Sequence, residues 1–295
     1  MQTKRQIQQL LASVGIQPNK RLGQHFLIDL NLMRLLIETA NIGIDDVVLE
    51  VGCATGSLTE GLAQHAGKVI AVELDRSLAK IAKRQLAKAE NVEIINTDIL
   101  LNKNTISRTV TSALALAGKK CSGRILLVAN LPYNVASPVI LNLVVGPTIV
   151  DSMYVTVQKE VADRMTAAPG SRDCGALSIH LCATGEVKKM RVIKPTAFWP
   201  QPQVDSAMVS FVHKKEKSCQ IQNMSLFNET INLFMSHRRK MLKSCTKFAH
   251  GELAKINNWP EIFEQCSIDW TQRPEQLWPQ DYIAIANRCD RLLKP

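Results

Sequence analysis

The chain has 295 residues, of which 46% are hydrophobic and 21% are charged, and its formal net charge is +10 at pH 7. This composition is typical of a globular protein with a sizeable core and excludes an intrinsically disordered chain. No apolar run approaches the roughly 20 residues of a membrane-spanning helix, and none follows the basic start of the chain, so we expect a cytoplasmic protein. The basic excess favours a polyanionic partner, although a basic surface without such a partner has the same composition.

The cysteines do not predict a metal site. Their positions, 53, 121, 174, 182, 219, 245, 266 and 289, contain no C-x-x-C pair and no histidine at ligand spacing. We therefore expect free thiols in a reducing compartment and no bound metal.

Short apolar runs alternate with helical patterns from Asp45 to about Gln158, which predicts a doubly wound α/β sheet of parallel strands. The predicted strands are 47–51, 69–73, 92–95, 125–129 and 153–157, and the helices between them include 58–66 and 78–89. The connection 101–123 is long and contains a possible helix over 110–117. Two later strands are predicted over 187–193 and 207–212.

The end of the chain is helical in pattern. After a polar linker at 214–218, helical spacing of apolar residues recurs over 226–234, 241–248, 262–266 and 282–293. We predict two domains: residues 1–213, which hold the sheet, and a smaller helical domain, residues 214–295.

A loop of small residues follows the first strand of the sheet. Gly52, Ala54 and Gly56 let a ligand approach the backbone before a helix, but the third small residue comes one position too early for the G-x-G-x-x-G pattern of pyrophosphate sites. Glu73, 21 positions after Gly52, ends the next strand, where a carboxylate accepts from ribose hydroxyls. Asp98, with the Ile99 backbone, follows the third strand. These acids indicate an unphosphorylated nucleoside, although acidic residues at strand ends also cap helices.

The turn Asn130-Leu131-Pro132-Tyr133 follows a strand, at the edge where open α/β sheets bind ligands. The Asn130 side chain and the Leu131 carbonyl are both able to accept hydrogen bonds from one exocyclic amine. Tyr133 is able to stack on the ring that carries the amine. The turn is therefore suited to an amino-purine, and the alternative is a plain strand-to-loop turn with a buried tyrosine.

These residues, in this order, resemble the ribosomal RNA adenine dimethyltransferases, the KsgA group, over nearly the whole chain. The matching segments are 19–27, 50–59, 73–75, 98, 130–134, 158–164, 197–206, 237–240 and 273–275. The resemblance implies a Rossmann-like methyltransferase domain that uses S-adenosylmethionine, followed in the chain by a helical RNA-binding domain. The chain departs from the family pattern at Cys53 and Ala54, where Pro and Gly are usual, and at His25, where Asn is common.

The resemblance also implies roles for particular residues. Tyr133 and Phe198 would hold a flipped-out adenine between them, although Phe198 is also suited to simple core packing. The full catalytic set is Asn130, Leu131, Pro132, Tyr133 and Phe198. The cofactor set is Gln24, His25, Leu27, Gly52, Ala54, Gly56, Glu73, Leu74, Asp98, Ile99 and Asn130.

The basic residues expected to contact RNA are Lys20, Arg21, Arg238, Arg239 and Lys240. A solvated helix face is the alternative for the last three, and an ordered lid over the cofactor for the first two.

The activity implied is N6-dimethylation of adenines in small-subunit ribosomal RNA, on an immature ribosomal subunit, by a monomer without membrane contact. Three alternatives stay open: an Erm-type large-subunit ribosomal RNA methyltransferase, a non-catalytic RNA-binding assembly factor, and a DNA adenine methyltransferase.

Overall fold

The computed structural model describes residues 1–19, 22–146 and 150–294. Lys20 and Arg21, which were predicted to contact RNA, lie outside the described residues. The chain divides into two compact units: Met1–Ala162 with Lys188–Val212, and Asp163–Val187 with the chain from His213 onward. The sequence had assigned 163–187 to the first domain. They group with the second because Cys174, Ile179 and Ala183 are buried in its hydrophobic core.

A seven-stranded sheet lies at the centre of the first unit, in the order β4-β3-β2-β7-β8-β11-β9. Strands β4, β3, β2, β7 and β8 are mutually parallel, and β11 runs antiparallel to β8. The predicted doubly wound α/β sheet is confirmed. The strands among the described residues are β1 Phe26–Leu27, β2 Val47–Val51, β3 Lys68–Glu73, β4 Val92–Asn96, β5 Leu100–Asn102, β6 Thr105–Ile106, β7 Ile125–Asn130, β8 Ser152–Gln158, β9 Gly185–Ile193, β10 Phe198–Trp199 and β11 Ser206–His213.

Helices cover the sheet because packing their apolar faces against the central strands removes the apolar surface of both from water. Every residue of β2 is buried, as expected for a strand covered on both faces. The helices of this part of the chain are α1 Lys4–Ser13, α2 Leu30–Ala40, α3 Ser57–Ala63, α4 Arg76–Gln85, α5 Arg108–Lys120, α6 Ala136–Val145 and α7 Lys159–Met165.

The second unit is helical, as predicted. Its core contains Phe227, Phe234, Phe263 and Tyr282, all almost fully buried. The segment 214–218, predicted as a linker, contains one helical turn. The helices are α8 Ala176–Thr184, α9 Lys215–Ser218, α10 Met224–Met235, α11 Leu242–Cys245, α12 Trp259–Gln265 and α13 Pro279–Leu293, with 3₁₀ turns at Thr246–Phe248, Gly251–Lys255 and Pro274–Gln276. A further 3₁₀ turn, Pro195–Ala197, belongs to the first unit.

The long connection 101–123 has a simple structure. Strands β5 and β6 form a small antiparallel hairpin, and helix α5 extends the predicted helix at both ends. Elsewhere, all eight cysteines are free thiols. Within the described ranges, no helix is long and apolar enough to cross a membrane, and no group of three His, Cys, Asp or Glu residues is placed to hold a metal ion.

Candidate active site at the strand ends of the sheet

A cleft with about 1140 Å³ of empty space, part of it open to solvent, lies at the carboxyl ends of the parallel strands. This is where open α/β sheets place their ligands. The structure brings nearly all the predicted site residues to this cleft: Gln24, His25, Leu27, Gly52, Ala54, Glu73, Leu74, Asp98, Ile99, Asn130, Leu131, Pro132 and Tyr133. Gly56 and Phe198 do not line it.

The loop after β2 takes a conformation that favours glycine. Gly52 has φ +78°, and a Cβ atom there would lie 2.8 Å from Pro132 Cγ. The loop after β2 and the turn after β7 are therefore in contact at Gly52, and only a residue without a side chain fits there. Ala54 has φ +53° and keeps the left-handed conformation without being glycine. Gly56 packs against α4, because a Cβ there would lie 2.9 Å from Leu86 Cδ1.

Glu73 joins the loops that follow β2 and β3. Its carboxylate accepts hydrogen bonds from the backbone N–H groups of Ala54, at 2.7 Å, and Asp75, at 2.8 Å. The side chain is only 6% exposed, and burial raises its pKa, against the effect of those backbone donors. Each oxygen keeps further lone pairs, so the carboxylate remains able to accept from ligand hydroxyls.

Glu50 is a second buried carboxyl group on the cleft, and it accepts from Thr59 Oγ1 at 2.6 Å. Burial raises its pKa to about 8, opposed by the Thr59 hydrogen bond and reinforced by the charge of Glu73. No lysine or arginine occurs among the described residues that line the cleft. The cleft therefore suits a cationic ligand without phosphate groups, because a positive charge interacts favourably with carboxyl oxygens and a phosphate would find no basic partner.

Asp98 lies after β4 on the cleft rim and is exposed. One of its oxygens accepts from the Leu100 N–H at 2.9 Å, which fixes the carboxylate and leaves its other oxygen unused by that bond. Ile99 beside it is 5% exposed. The pair combines an anchored acceptor with an apolar surface, as an adenine subsite requires.

The segment before β1 closes one side of the cleft. Gln24 Oε1 accepts from the Asn19 N–H at 2.7 Å, while Gln24 Nε2 donates to Asp75 at 3.3 Å. The glutamine thus links this segment to the cap of α4, since Asp75 caps that helix. Its side chain orders the cleft wall.

The Asn130 amide is held at both ends. Its Nδ2 donates to the His25 carbonyl at 2.9 Å, and its Oδ1 accepts from Thr156 Oγ1 at 2.5 Å. The amide is thereby fixed at the cleft with its oxygen on the β8 side, and an amide oxygen has two lone pairs, so one remains for a ligand amine.

Tyr133 is half-buried and fixed by two neighbours. Its hydroxyl hydrogen-bonds Ser206 Oγ at 2.6 Å, and its ring stacks on the His25 ring with centroids 5.3 Å apart. His25 Nδ1 lies 2.7 Å from the Pro200 carbonyl and so donates to it. Burial raises the pKa of Tyr133, although the Ser206 hydrogen bond opposes that shift. The tyrosine is a neutral, oriented aromatic surface.

Phe198 is not at the cleft, contrary to its predicted place beside the adenine. It is 1% exposed and packs in the hydrophobic core with Leu27, its partner in the β1–β10 pair, and Met208. The core-packing alternative describes its position, because a ring buried on all sides offers no face to a base.

The three basic residues predicted to contact RNA from the second unit differ in their surroundings. Arg238 pairs with Glu275 at 3.2 Å and donates to the carbonyl oxygens of Arg172 and Cys174. Its guanidinium is held within the second unit but the side chain is 37% exposed, so the phosphate contact of Arg238 stays a prediction. Arg239 and Lys240 are exposed, and Lys240 lies 5.6 Å from the Phe248 ring centroid.

Two residues that hold the side chains of Asn130 and Tyr133 were not predicted from the sequence. Thr156 and Ser206 are buried hydroxyl residues within strands, each bonded to a predicted catalytic side chain. Threonine and serine in a strand are ordinary in a sequence, so only the pairing of β8 with β7 and β11 places them at the site.

Comparison with known proteins gives consistent matches. The model of the family described as ribosomal RNA adenine dimethylase matches residues 15–277. Ribosomal RNA small subunit methyltransferase A of Latilactobacillus sakei is 34% identical over 281 residues, which cover 94% of this chain and 92% of that protein. The protein of the same name from Staphylococcus epidermidis is 36% identical over 280 residues, which cover 94% and 91%.

Solved structures share the fold. A dimethyladenosine transferase from Plasmodium falciparum superposes with a TM-score of 0.71 at 22% identity, covering 90% of this chain and 98% of that one. The 23S ribosomal RNA methyltransferase ErmE gives a TM-score of 0.61 at 21% identity, covering 90% and 99%. These structures show the methyltransferase fold. The family match and the two relatives show more: the chain belongs to the ribosomal RNA adenine dimethylase family.

Proposed function

We propose that this protein uses S-adenosylmethionine to dimethylate the N6 amines of adenines in small-subunit ribosomal RNA. One observation carries the residue assignment: a fixed amide oxygen and a backbone carbonyl follow β7 beside an acidic cleft without lysine or arginine among its described lining residues. A small-subunit substrate is favoured because the relatives named above are small-subunit enzymes.

The cleft residues fit the cofactor that this family uses. When bound, S-adenosylmethionine supplies an electrophilic methyl group on a positively charged sulfur. Glu73 would accept from the ribose hydroxyls, and Asp98 with the Ile99 backbone would bind the adenine. Gly52 and Ala54 would leave room for the methionine part, where Glu50 offers a buried carboxyl to its ammonium group. Gln24, His25, Leu27 and Leu74 complete the cleft wall.

The turn after β7 would act on the target adenine. The lone pair of an adenine amine is delocalised into the ring, which makes the nitrogen a weak nucleophile. Hydrogen bonds from that amine to Asn130 Oδ1 and the Leu131 carbonyl favour a tetrahedral nitrogen and direct its lone pair into the cleft. Pro132 sets the path of the turn, and Tyr133 stacks on the base. No strong base is required, because the amine proton becomes acidic once the nitrogen carries the new methyl group.

The substrate context completes the proposal. A monomer in the cytoplasm would bind an immature small subunit during ribosome biogenesis. The second unit would supply phosphate contacts through exposed residues, among them Arg239 and Lys240. Lys20 and Arg21, which lie outside the described residues, would add further RNA contacts.

The test is methyl transfer by wild type and Asn130→Ala. Both are incubated with labelled S-adenosylmethionine and small subunits from a strain that lacks this enzyme. We expect the variant to lose transfer by about 100-fold or more, because it removes an oriented acceptor in the transition state. Cofactor binding, measured by calorimetry, should change much less. Equal incorporation by the two proteins would contradict the catalytic assignment.

The same assay separates the alternatives. No incorporation by wild type, with intact RNA binding, would favour the non-catalytic assembly factor. Primer extension on both ribosomal RNAs locates the modified adenines, and stops in the large-subunit RNA would favour the Erm-type activity. Duplex DNA offered in place of ribosomal subunits tests the DNA methyltransferase.

A further inference from the structure

Thr156 is a fully buried polar residue in the middle of β8, with 0% exposure and valines on either side. It is paired with Asn130 in the parallel ladder of β7 and β8. A buried hydroxyl group costs free energy unless it is hydrogen-bonded, and the bond it makes here is to Asn130 Oδ1 at 2.5 Å. The hydroxyl is therefore directed at the side chain assigned to the target amine.

The direction of this hydrogen bond is fixed by a third group. The His25 carbonyl oxygen accepts only, so the nitrogen of the Asn130 amide must face it, as observed at 2.9 Å. The amide oxygen consequently faces Thr156, whose hydroxyl must donate. If the amide turned over, two oxygens would face each other at His25. The carbonyl and the hydroxyl together define one orientation of the Asn130 side chain.

Thr156 also holds the second group of the proposed amine site. Its backbone carbonyl accepts from the Leu131 N–H at 3.1 Å. One residue thus binds the side chain of Asn130 and the backbone of Leu131, the two positions whose oxygens would accept from the adenine amine. The backbone contact would form with any residue here, but the bond to Asn130 needs the hydroxyl, and valine fills neighbouring positions of β8.

From this geometry, we infer that Thr156 is a positioning residue for methyl transfer, which fixes the Asn130 amide oxygen toward the target amine. This inference rests on the proposed role of Asn130. Thr156 has no contact with the base or the cofactor in this scheme. It limits the rotation of the Asn130 amide, so that the remaining lone pair of Oδ1 is already aligned when the adenine enters.

The experiment compares Thr156→Val with Thr156→Ser in steady-state methylation of undermethylated small subunits. Valine nearly keeps the volume and removes the hydroxyl, whereas serine keeps the hydroxyl and removes a methyl group. We expect Thr156→Val to lower kcat by about 10-fold or more, with little change in KM for the subunit or in Kd for S-adenosylmethionine. We expect Thr156→Ser to retain kcat close to wild type. Thr156→Ala, a second variant without the hydroxyl, should follow the valine variant.

A double-mutant cycle gives the decisive readout. If Thr156 acts through Asn130, adding Thr156→Val to Asn130→Ala should cause no further loss of kcat. An unchanged kcat for Thr156→Val, or an equal loss in the serine variant, would overturn the inference. So would a full additional loss in the double variant. These outcomes leave the proposed function in place as long as Asn130→Ala shows its expected large loss of methyl transfer. Full activity of Asn130→Ala would remove both.

Discussion

Glu50 shows how a single buried acid at the cleft links pH to stability. The side chain is 2% exposed, and burial raises its pKa from 4.5 to about 8. Between pH 4.5 and about pH 8, the Glu50 carboxyl therefore keeps a proton in the folded chain that it has released in the unfolded chain. The contribution of Glu50 to the free energy of unfolding is fully present below the unfolded pKa. It falls as pH rises toward the folded pKa, by up to about 1.4 kcal/mol per pH unit.

The substitution Glu50→Gln should remove this pH dependence. Glutamine is uncharged at every pH, so its burial imposes no proton binding on the folded state. We expect the unfolding free energy of wild type to fall more steeply than that of Glu50→Gln between about pH 6 and about pH 8. Urea unfolding across this interval measures it, with the exposed Glu90→Gln as a control for the loss of one carboxyl group. Parallel curves for wild type and Glu50→Gln would contradict the buried protonated carboxyl.

Two loops from neighbouring strands of the sheet meet at Gly52. Strands β2 and β7 are hydrogen-bonded in parallel, so the loops that follow them emerge side by side. Gly52 faces Pro132 with no room for a Cβ atom between them. The loop after β2 and the turn after β7 therefore pack against each other at this glycine.

We expect Gly52→Ala to impair both loops. The new methyl group would overlap Pro132, and φ at this position is +78°. The matched control is Gly15→Ala, which places alanine at φ +68° with no atom within 4 Å. We expect the control to lose about 1 kcal/mol from backbone strain, and Gly52→Ala roughly 2–4 kcal/mol together with weaker S-adenosylmethionine binding. Equal losses in the two variants would mean that the Pro132 contact is unimportant.

The elements that the sequence predicted well are those with strong local patterns. The buried run before Asn130 forms β7, and Glu73, which ends the predicted strand 69–73, lies at the cleft, because parallel strands of one sheet end at one edge. Gly56 was placed in the right loop, but it packs on Leu86 and does not line the cleft.

The sequence does not show contacts between residues that lie far apart in the chain. An aromatic residue next to prolines carries no local sign of burial, so Phe198 was assigned to the base and not to the core. A basic residue shows nothing of its carboxylate partner in sequence, and Arg238 pairs with Glu275, 37 positions away. Thr156 faces Asn130 only through strand pairing, which no local pattern encodes.

The net charge of +10 belongs to the whole molecule and concerns its substrate. Lysines and arginines that meet phosphates release counterions, so RNA binding should weaken steeply as salt rises. S-adenosylmethionine binds without phosphate contacts, so its affinity should depend little on salt. The charges that matter for RNA are those still exposed. Arg238 is engaged by Glu275, whereas Arg239 next to it is exposed.

Arg239→Gln should therefore weaken RNA binding in a salt-dependent way. If the side chain meets one phosphate, its loss should lower the slope of log K against log salt by roughly 0.7–0.9, the value for one counterion. The measurement is filter binding of small-subunit ribosomal RNA at several salt concentrations, with S-adenosylmethionine affinity measured alongside. Lys119→Gln, which removes one exposed charge from the first unit, is the control for net charge. If the two variants change the slope equally, RNA responds to total charge and Arg239 makes no specific contact. If Arg239→Gln alone changes it, the second unit takes part in substrate binding through this residue.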